Sequence, residues 1–260
     1  MKKFIVPLAL LSLISCNKDN VDLTSNAIDT NIRVEFREQL SPTSRQPYLL
    51  CQTEKAYPCS NYGILTERTF DKNKLDITFV RVLQSDICLT SLGPATTSID
   101  LPLENGTYEI GLTNGKFANT GTLIISDDKV DILLKKTKGI NIFRQTTRRV
   151  PPNTYWGTIG YHTESTSDKV NDFLQKVSAL GAEFAKQTPG YYFFYEIGND
   201  GNIVTNTEMS GYYFSKKFIF QFTGDEEVFK RRLKELSKTY FDDMYINIET
   251  YKGEQIYNWN

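Results

Sequence analysis

From Asn31 onward the chain alternates. Ile32, Val34 and Phe36 are apolar, and Arg33, Glu35 and Arg37 between them are charged. A period of two predicts a strand with one face buried. Further strands are expected over residues 62–70, 75–83, 107–112, 122–126, 130–135 and 140–144. Turn chemistry separates them: Asp71-Lys72-Asn73, Asn105-Gly106, Asn114-Gly115, Asp127-Asp128 and Lys138-Gly139. No helical period of useful length precedes residue 165. Past Pro151-Pro152 the pattern changes. A strand over 155–161 leads to Ser167-Asp168, a helix start. Val170, Phe173, Leu174, Val177, Leu180 and Phe184 follow at helical spacing, and Pro189-Gly190 stops them. Strands are expected over 191–197 and 213–222. Thr223 and Glu226 then fit a capping box, ahead of a stripe of Phe229, Leu233, Leu236 and Tyr240. A last strand covers 244–250.

Short strands with turns between them predict an antiparallel β-sandwich for the first half. The run Leu103-Glu104-Asn105-Gly106-Thr107-Tyr108-Glu109-Ile110 resembles the late strands of bacterial immunoglobulin-like modules. The stretches Cys59-Ser60-Asn61-Tyr62 and Cys88-Leu89-Thr90 look like surface-lipoprotein modules of the same kind. The resemblance implies an immunoglobulin-like sandwich over residues 31–147, joined by a linker, 148–154, in which two prolines bar helix and ladder alike. The second half, 155–260, has the order β-α-β-β-α-β. That is the ferredoxin-like α+β arrangement, with both helices on one face of a four-stranded sheet. The expected fold class is thus a two-domain β plus α+β protein. Neither fold carries a function by itself.

The first residues say where the protein lives. Lys2 and Lys3 precede an apolar run from Phe4 to Leu13. That run is as long as the core of a signal peptide and too short to span a bilayer. It ends in Leu13-Ile14-Ser15-Cys16, which resembles the lipobox of bacterial lipoproteins. The resemblance implies removal of residues 1–15, acylation of Cys16 and a membrane anchor. Several acyl chains together hold a protein stably, where one does not. Residues 16–30 are polar and read as a tether. Asn17 stands where an Asp would retain a Gram-negative lipoprotein at the inner membrane. The expected location is therefore the outer membrane, periplasmic or surface-exposed.

Composition narrows the partners. Apolar residues make up 40 % and charged residues 23 % of the chain, as in an ordinary globular protein. A net charge of −1 gives no electrostatic argument for nucleic acid. The chain has four cysteines, and with Cys16 lipidated three remain for an oxidising compartment. Cys59–Cys88 is the preferred disulfide, closing a loop between two strands. Cys51–Cys59 is the shorter alternative, and whether Cys51 is free stays open.

No nucleophile elbow, zinc-protease motif or phosphate-binding loop occurs, so no catalytic residue, metal ligand or cofactor is assigned. The single His162 lies near Glu164 and Asp168, the one grouping that a hydrolase could use. Asn199-Asp200-Gly201-Asn202 lacks the closing Glu of a calcium loop and reads as a turn. Lys230-Arg231-Arg232 reads as a solvated helix face. The aromatics are more informative. If Phe218, Phe220 and Phe222 face the helices, the open face of the second sheet carries Trp156, His162, Tyr192, Phe194, Tyr245 and Tyr251. Trp156 is expected at the domain junction, and Trp156, Tyr192, Tyr245 and Tyr251 form the candidate binding face. The reading is a non-enzymatic binding or accessory module of the cell envelope, with an envelope protein or a glycan as partner. Mass spectrometry of the native N-terminus is expected to show a lipid-modified Cys16. A free thiol there, or a cut elsewhere, would remove the anchor from this account.

Overall fold

A computed structural model describes residues 28–101, 104–204 and 209–259. Cys16 and the rest of the signal and tether up to residue 27 lie outside the described residues. The first half has ten strands: β1 (Ile32–Leu40), β2 (Arg45–Tyr57), β3 (Gly63–Asp71), β4 (Lys74–Leu83), β5 (Gly93–Asp100), β6 (Gly106–Asn114), β7 (Phe117–Ile125), β8 (Lys129–Leu134), β9 (Ile140–Ile142) and β10 (Thr146–Arg148). They form one sheet in the order β10-β8-β7-β6-β4-β3-β5-β2-β1-β9.

This corrects the expected immunoglobulin-like sandwich. Two parallel contacts join what a sandwich keeps apart. Residues 74–79 of β4 pair with 109–114 of β6, and Gly63 of β3 meets Thr96 of β5. The continuous sheet then curls like half a barrel. Its two edges, β9 and β10, are three residues apart in the chain, so they lie within about 14 Å of each other. Curling keeps Ile32, Val34, Phe36, Leu49, Ile77, Phe79, Ile110, Leu112, Leu123 and Ile132 in one core. Alternation in sequence fixes which side chains point inward. It does not say which strand lies beside which, and parallel neighbours leave no turn to mark them.

The preferred disulfide is present: Cys59 and Cys88 are bonded, 29 residues apart. In the chain-entropy account a loop of that size stabilises the fold by about 3–4 kcal/mol. Cys51 is a free thiol inside the barrel, where burial pushes its pKa up.

The second half is β11 (Thr154–Tyr161), α1 (Ser167–Ala179), β12 (Gly190–Tyr191), β13 (Glu196–Ile197), β14 (Phe214–Gln221), α2 (Glu226–Lys238), β15 (Tyr245–Thr250) and β16 (Gln255–Tyr257). Its main sheet runs β14-β11-β15-β16, and every pair is antiparallel. A ferredoxin-like sheet is antiparallel too, but it sets the strand that follows the first helix beside the third strand. Here residues 191–197 stay out of the main sheet and β16 extends it at the other edge, beside β15, so that expectation is also corrected. The long excursion from Leu180 to Tyr213 is the reason. A connection that long can close on itself before it re-enters the sheet, so no short crossover obliges it to add an edge strand. The expected strand over 191–197 is instead a separate hairpin, β12 with β13. Phe193 sits at positive φ (51°), and Tyr192 N–H donates to Tyr195 O across the turn. Aromatic propensity reads as strand there, but packing of the turn wins.

Both helices do cover one face of the main sheet. Phe173, Val177, Phe229 and Leu233 meet Tyr155, Ile159, Phe218, Phe220, Ile246 and Ile248. Gly181, at φ 102°, ends α1 earlier than its apolar stripe predicts, so Phe184 leaves the helix and is exposed. The N-cap of α2 is Asp225, which accepts from Val228 N–H, rather than Thr223.

Residues 148–154 pack tightly against both halves. Arg149 reaches into the barrel mouth and donates from Nε to Glu38 Oε1 at 2.8 Å, and from Nη1 to Ser126 O. Arg45 completes the group, donating to Val150 O at 2.6 Å and lying 3.7 Å from Glu38. Outside the barrel wall Glu35, only 3 % exposed, accepts from Tyr191 O–H and Arg37. Burial and then the Glu35 carboxylate push the Tyr191 phenol's pKa up. Removing Arg149 leaves Glu38 with only the more distant Arg45 and leaves Ser126 O short of a donor. Arg149→Ala is expected to cost about 1–3 kcal/mol in urea unfolding. Glu38→Gln with Arg149→Met is expected to recover most of that.

Candidate functional site

The pairing registers place Trp156, Ile219 and Glu249 in one row across the main sheet. Thr158, Lys217 and Asn247 make the next row, and Gly160, Ser215 and Tyr245 the third. Side chains two apart share a face, so all three rows lie on the side away from the helices. That face divides into a covered end and a bare end.

The covered end is the junction. Trp156, Val150, Tyr192, Tyr195, Ile197 and Ile219 form a buried cluster, with Leu40 of β1 packed against it. Trp156 meets Phe194 and Tyr195 with ring centroids 5.2 and 5.4 Å apart. Tyr192 stacks on Tyr195 at 4.9 Å, donates to Thr188 O and is 3 % exposed. Tyr192 therefore lies in a core rather than on an open face, because the turn at Phe193 aims it inward. Tyr251 is half-buried at the rim, its ring beneath Lys252. Of the four residues of the candidate face, only Tyr245 stands at the bare end.

There Tyr245 is the centre of a row of rings. Tyr212 lies 5.8 Å away on one side, and Trp259 and Tyr257 lie 6.4 and 6.5 Å away on the other. His162 stacks on Tyr212 at 4.9 Å, and Tyr257 meets Trp259 at 5.3 Å. His162, Tyr212, Tyr245 and Trp259 border a cleft of about 380 Å³, floored by Met244 and Asn258 and edged by Phe241, Asp242 and Asp243, with Tyr257 behind Trp259. Its acidic groups are Asp242 and Asp243, with Lys169 bonded to Asp243, and His162 stands beside the Tyr212 ring. Desolvation first and Tyr245 second raise the pKa of the Tyr212 phenol, which therefore stays a neutral hydrogen-bonding group.

Local sequence makes this arrangement possible. A Cβ at Gly160 would stand 2.7 Å from the Tyr212 ring, so only glycine lets Tyr212 lie down on the sheet. Asn258 fixes the other side. Its amide donates to Met244 O at 2.6 Å, and its oxygen accepts from Ile246 N–H at 3.0 Å. Those two bonds hold the tail that carries Trp259, 46 % exposed. Trp259 and Tyr257 were not assigned to the site from sequence. Their spacing of two, at the end of a final short strand and just past it, was the available signal.

The hydrolase grouping is not brought together in the cleft. His162 lines it, while Glu164 and Asp168 are exposed on the turn and helix start beyond. Among the described residues no cluster of His, Cys, Asp and Glu is placed to hold a metal ion. Also among them, no helix is long and apolar enough to cross a membrane. A larger hollow, about 490 Å³, opens around Ile28–Asn31 and Asn114–Phe117, where the chain enters the barrel. It has no row of rings like the cleft.

The chain matches no family model, no curated protein and no solved structure in comparisons with each.

Glu249 lies at the covered end of the face, in the row of Trp156. Burial raises its pKa above the ordinary value, partly opposed by the Trp156 indole N–H. A carboxyl whose folded pKa is raised binds more protons folded than unfolded, so it subtracts stability as pH rises past the ordinary carboxylate range. Glu249→Gln is therefore expected to raise the melting temperature relative to wild type at pH 8 and to lose that advantage at pH 4. A thermal scan across pH checks the sign.

Proposed function

We propose that this protein is a lipid-anchored binding module of the bacterial cell envelope, without a catalytic role of its own, and that its ligand is a glycan. The anchor is the acylated Cys16 expected from the lipobox, and the outer membrane is the compartment. The observation that carries the reading is the row Tyr212–Tyr245–Trp259–Tyr257, bare at one end of a sheet whose other end is covered.

Tyr and Trp combine a flat apolar face with a polar edge, which suits a ligand that is part apolar and part hydroxylated. A sugar ring offers both: C–H groups on a face and hydroxyls round the rim. Stacking on Tyr245 and Trp259 would hold the face. Asp242 and the phenol groups of Tyr212 and Tyr245 stand at the border to accept or donate to hydroxyls. An open cleft with several rings in line favours an extended chain of sugars over one small molecule. Net charge of −1 gives no pull toward nucleic acid.

The test is titration calorimetry against neutral and acidic oligosaccharides, with the mature chain. Trp259→Ala is expected to weaken binding roughly tenfold or more, since exposed ring anchors carry most of such an interface. Its melting temperature should change little, because the ring is already half in water. Tyr192→Ala is expected to do the reverse: a large loss of stability. A Trp259→Ala variant that binds saccharide unchanged would reject the site.

A further inference from the structure

One surface remains unexplained by the fold or the cleft. The segment between β4 and β5 exposes Ile87 (76 %), Leu89 (57 %) and Leu92 (80 %) within nine residues. It is a held structure. Cys88 is bonded to Cys59, Asn61 donates to Ile87 O and accepts from Leu89 N–H, and Ser60 N–H donates to Leu89 O. Three large apolar side chains are thus fixed outward on a stapled loop. Asp86 is the only charged residue from Gln84 to Leu92, and none occurs from Pro58 to Tyr62.

The position of this knob is informative. Leu92 precedes Gly93, which pairs with Tyr57 at the end of β2. The chain enters the barrel beside the same end of β2: Asn31 O accepts from Glu54 N–H, and Asp29 bonds Lys55 at 2.9 Å. Two strand spacings, about 10 Å, therefore separate the entry strand from the knob. The twelve steps from Cys16 to Ile28 reach at most about 40 Å. Behind the knob stand Tyr57 and Tyr62, centroids 5.6 Å apart, with the Lys55 ammonium over the Tyr57 ring. Aromatics with a lysine alongside, set behind a projecting apolar tip, are the side chains that suit the boundary of a bilayer.

We infer that the Ile87–Leu89–Leu92 knob inserts into the lipid surface to which Cys16 is anchored, with Tyr57, Tyr62 and Lys55 at the headgroup level. The occupant is a bilayer because the tether ends there; in this respect the inference rests on the anchor reading above. Insertion would give the barrel a second, non-covalent footing and fix which end faces the membrane.

Two measurements test it. In the first, acylated protein carrying Leu92→Trp is placed in phosphatidylethanolamine–phosphatidylglycerol vesicles with shallowly brominated lipid. The new indole is expected to be quenched, against the unchanged background of Trp156 and Trp259. In the second, the mature chain carrying Cys16→Ser is partitioned onto the same vesicles without bromine. Leu89→Ser with Leu92→Ser is expected to lower the partition coefficient roughly tenfold or more. Both side chains are exposed, so the fold is not at stake. An unquenched indole with an unchanged partition coefficient overturns the knob and leaves the anchor standing. A dimer that the double substitution abolishes also overturns it, assigning the knob to a second copy. An unmodified native Cys16 removes the anchor reading, while the partition measurement still decides the knob.

Discussion

Two buried carboxylates on one strand hold this molecule in its shape. Glu35 and Glu38 lie three residues apart on β1, on opposite faces of it, and neither reaches water freely. A buried charge is tolerable only when paired, so each demands a partner from elsewhere in the chain. Glu38, in the barrel mouth, takes Arg149 and Arg45. Glu35, on the outer wall, takes Arg37 and the Tyr191 hydroxyl from the hairpin of the second half. The first pair fixes the path by which the chain leaves the barrel. The second fixes the hairpin that covers Trp156. Cation–π contacts run alongside, with Arg33 over Phe143, Arg37 over Phe193 and Arg144 over Tyr191. Pro151-Pro152 thus joins two bodies already bound on either side of it.

What the sequence disclosed follows from which interactions are local. The alternation of Ile32, Val34 and Phe36, the Asn114-Gly115 turn and the helix faces of Phe173 and Phe229 depend on neighbours in the chain, and they were legible. So was the choice of Cys59 and Cys88 as partners. Strand β2 was hidden because Pro47 interrupts its start and Leu49-Leu50-Cys51 runs without alternation. Strand β5, with Thr96, Thr97 and Ser98, offers too few apolar positions to show a period. The parallel contacts of β4 with β6 depend on residues more than thirty apart, and no local pattern encodes them. Arg148-Arg149 looked like solvated linker because the carboxylate that claims Arg149 is more than a hundred residues away.

The aromatic face shows the same division. Period two placed Trp156 and Tyr245 on one side of the sheet, as their registers with Glu249 and Gly160 require. It could not say that the face is used twice. The run Tyr191-Tyr192-Phe193-Phe194-Tyr195 supplies the cover for one end, and its turn at Phe193 sends Tyr192 and Tyr195 inward together. Among the described residues nothing comparable reaches the other end, where Tyr212 and Trp259 only border Tyr245. The difference between core and site on one sheet is therefore set by the length of a hairpin that stops short.

That difference gives the molecule a direction. The chain enters the barrel at the Ile32 end of β1, beside the Tyr57 end of β2, and the junction grips the Leu40 end, where a Cβ at Gly253 would strike Leu40 O. From Trp156 at the junction the strand continues to His162 at the cleft, about 20 Å further on. Entry and cleft are thus each at the end of their sheet remote from the joint. Because buried pairs and a packed hydrophobic cluster hold the joint, the cleft cannot swing freely about the linker as it would on a solvated hinge. For the tethered binding module proposed above, this matters more than affinity at a single ring. Under the proposed reading, a stiff body keeps the cleft at a set distance from the point where the chain enters the barrel, and the effective concentration of ligand at the cleft then depends on where the ligand lies along that distance.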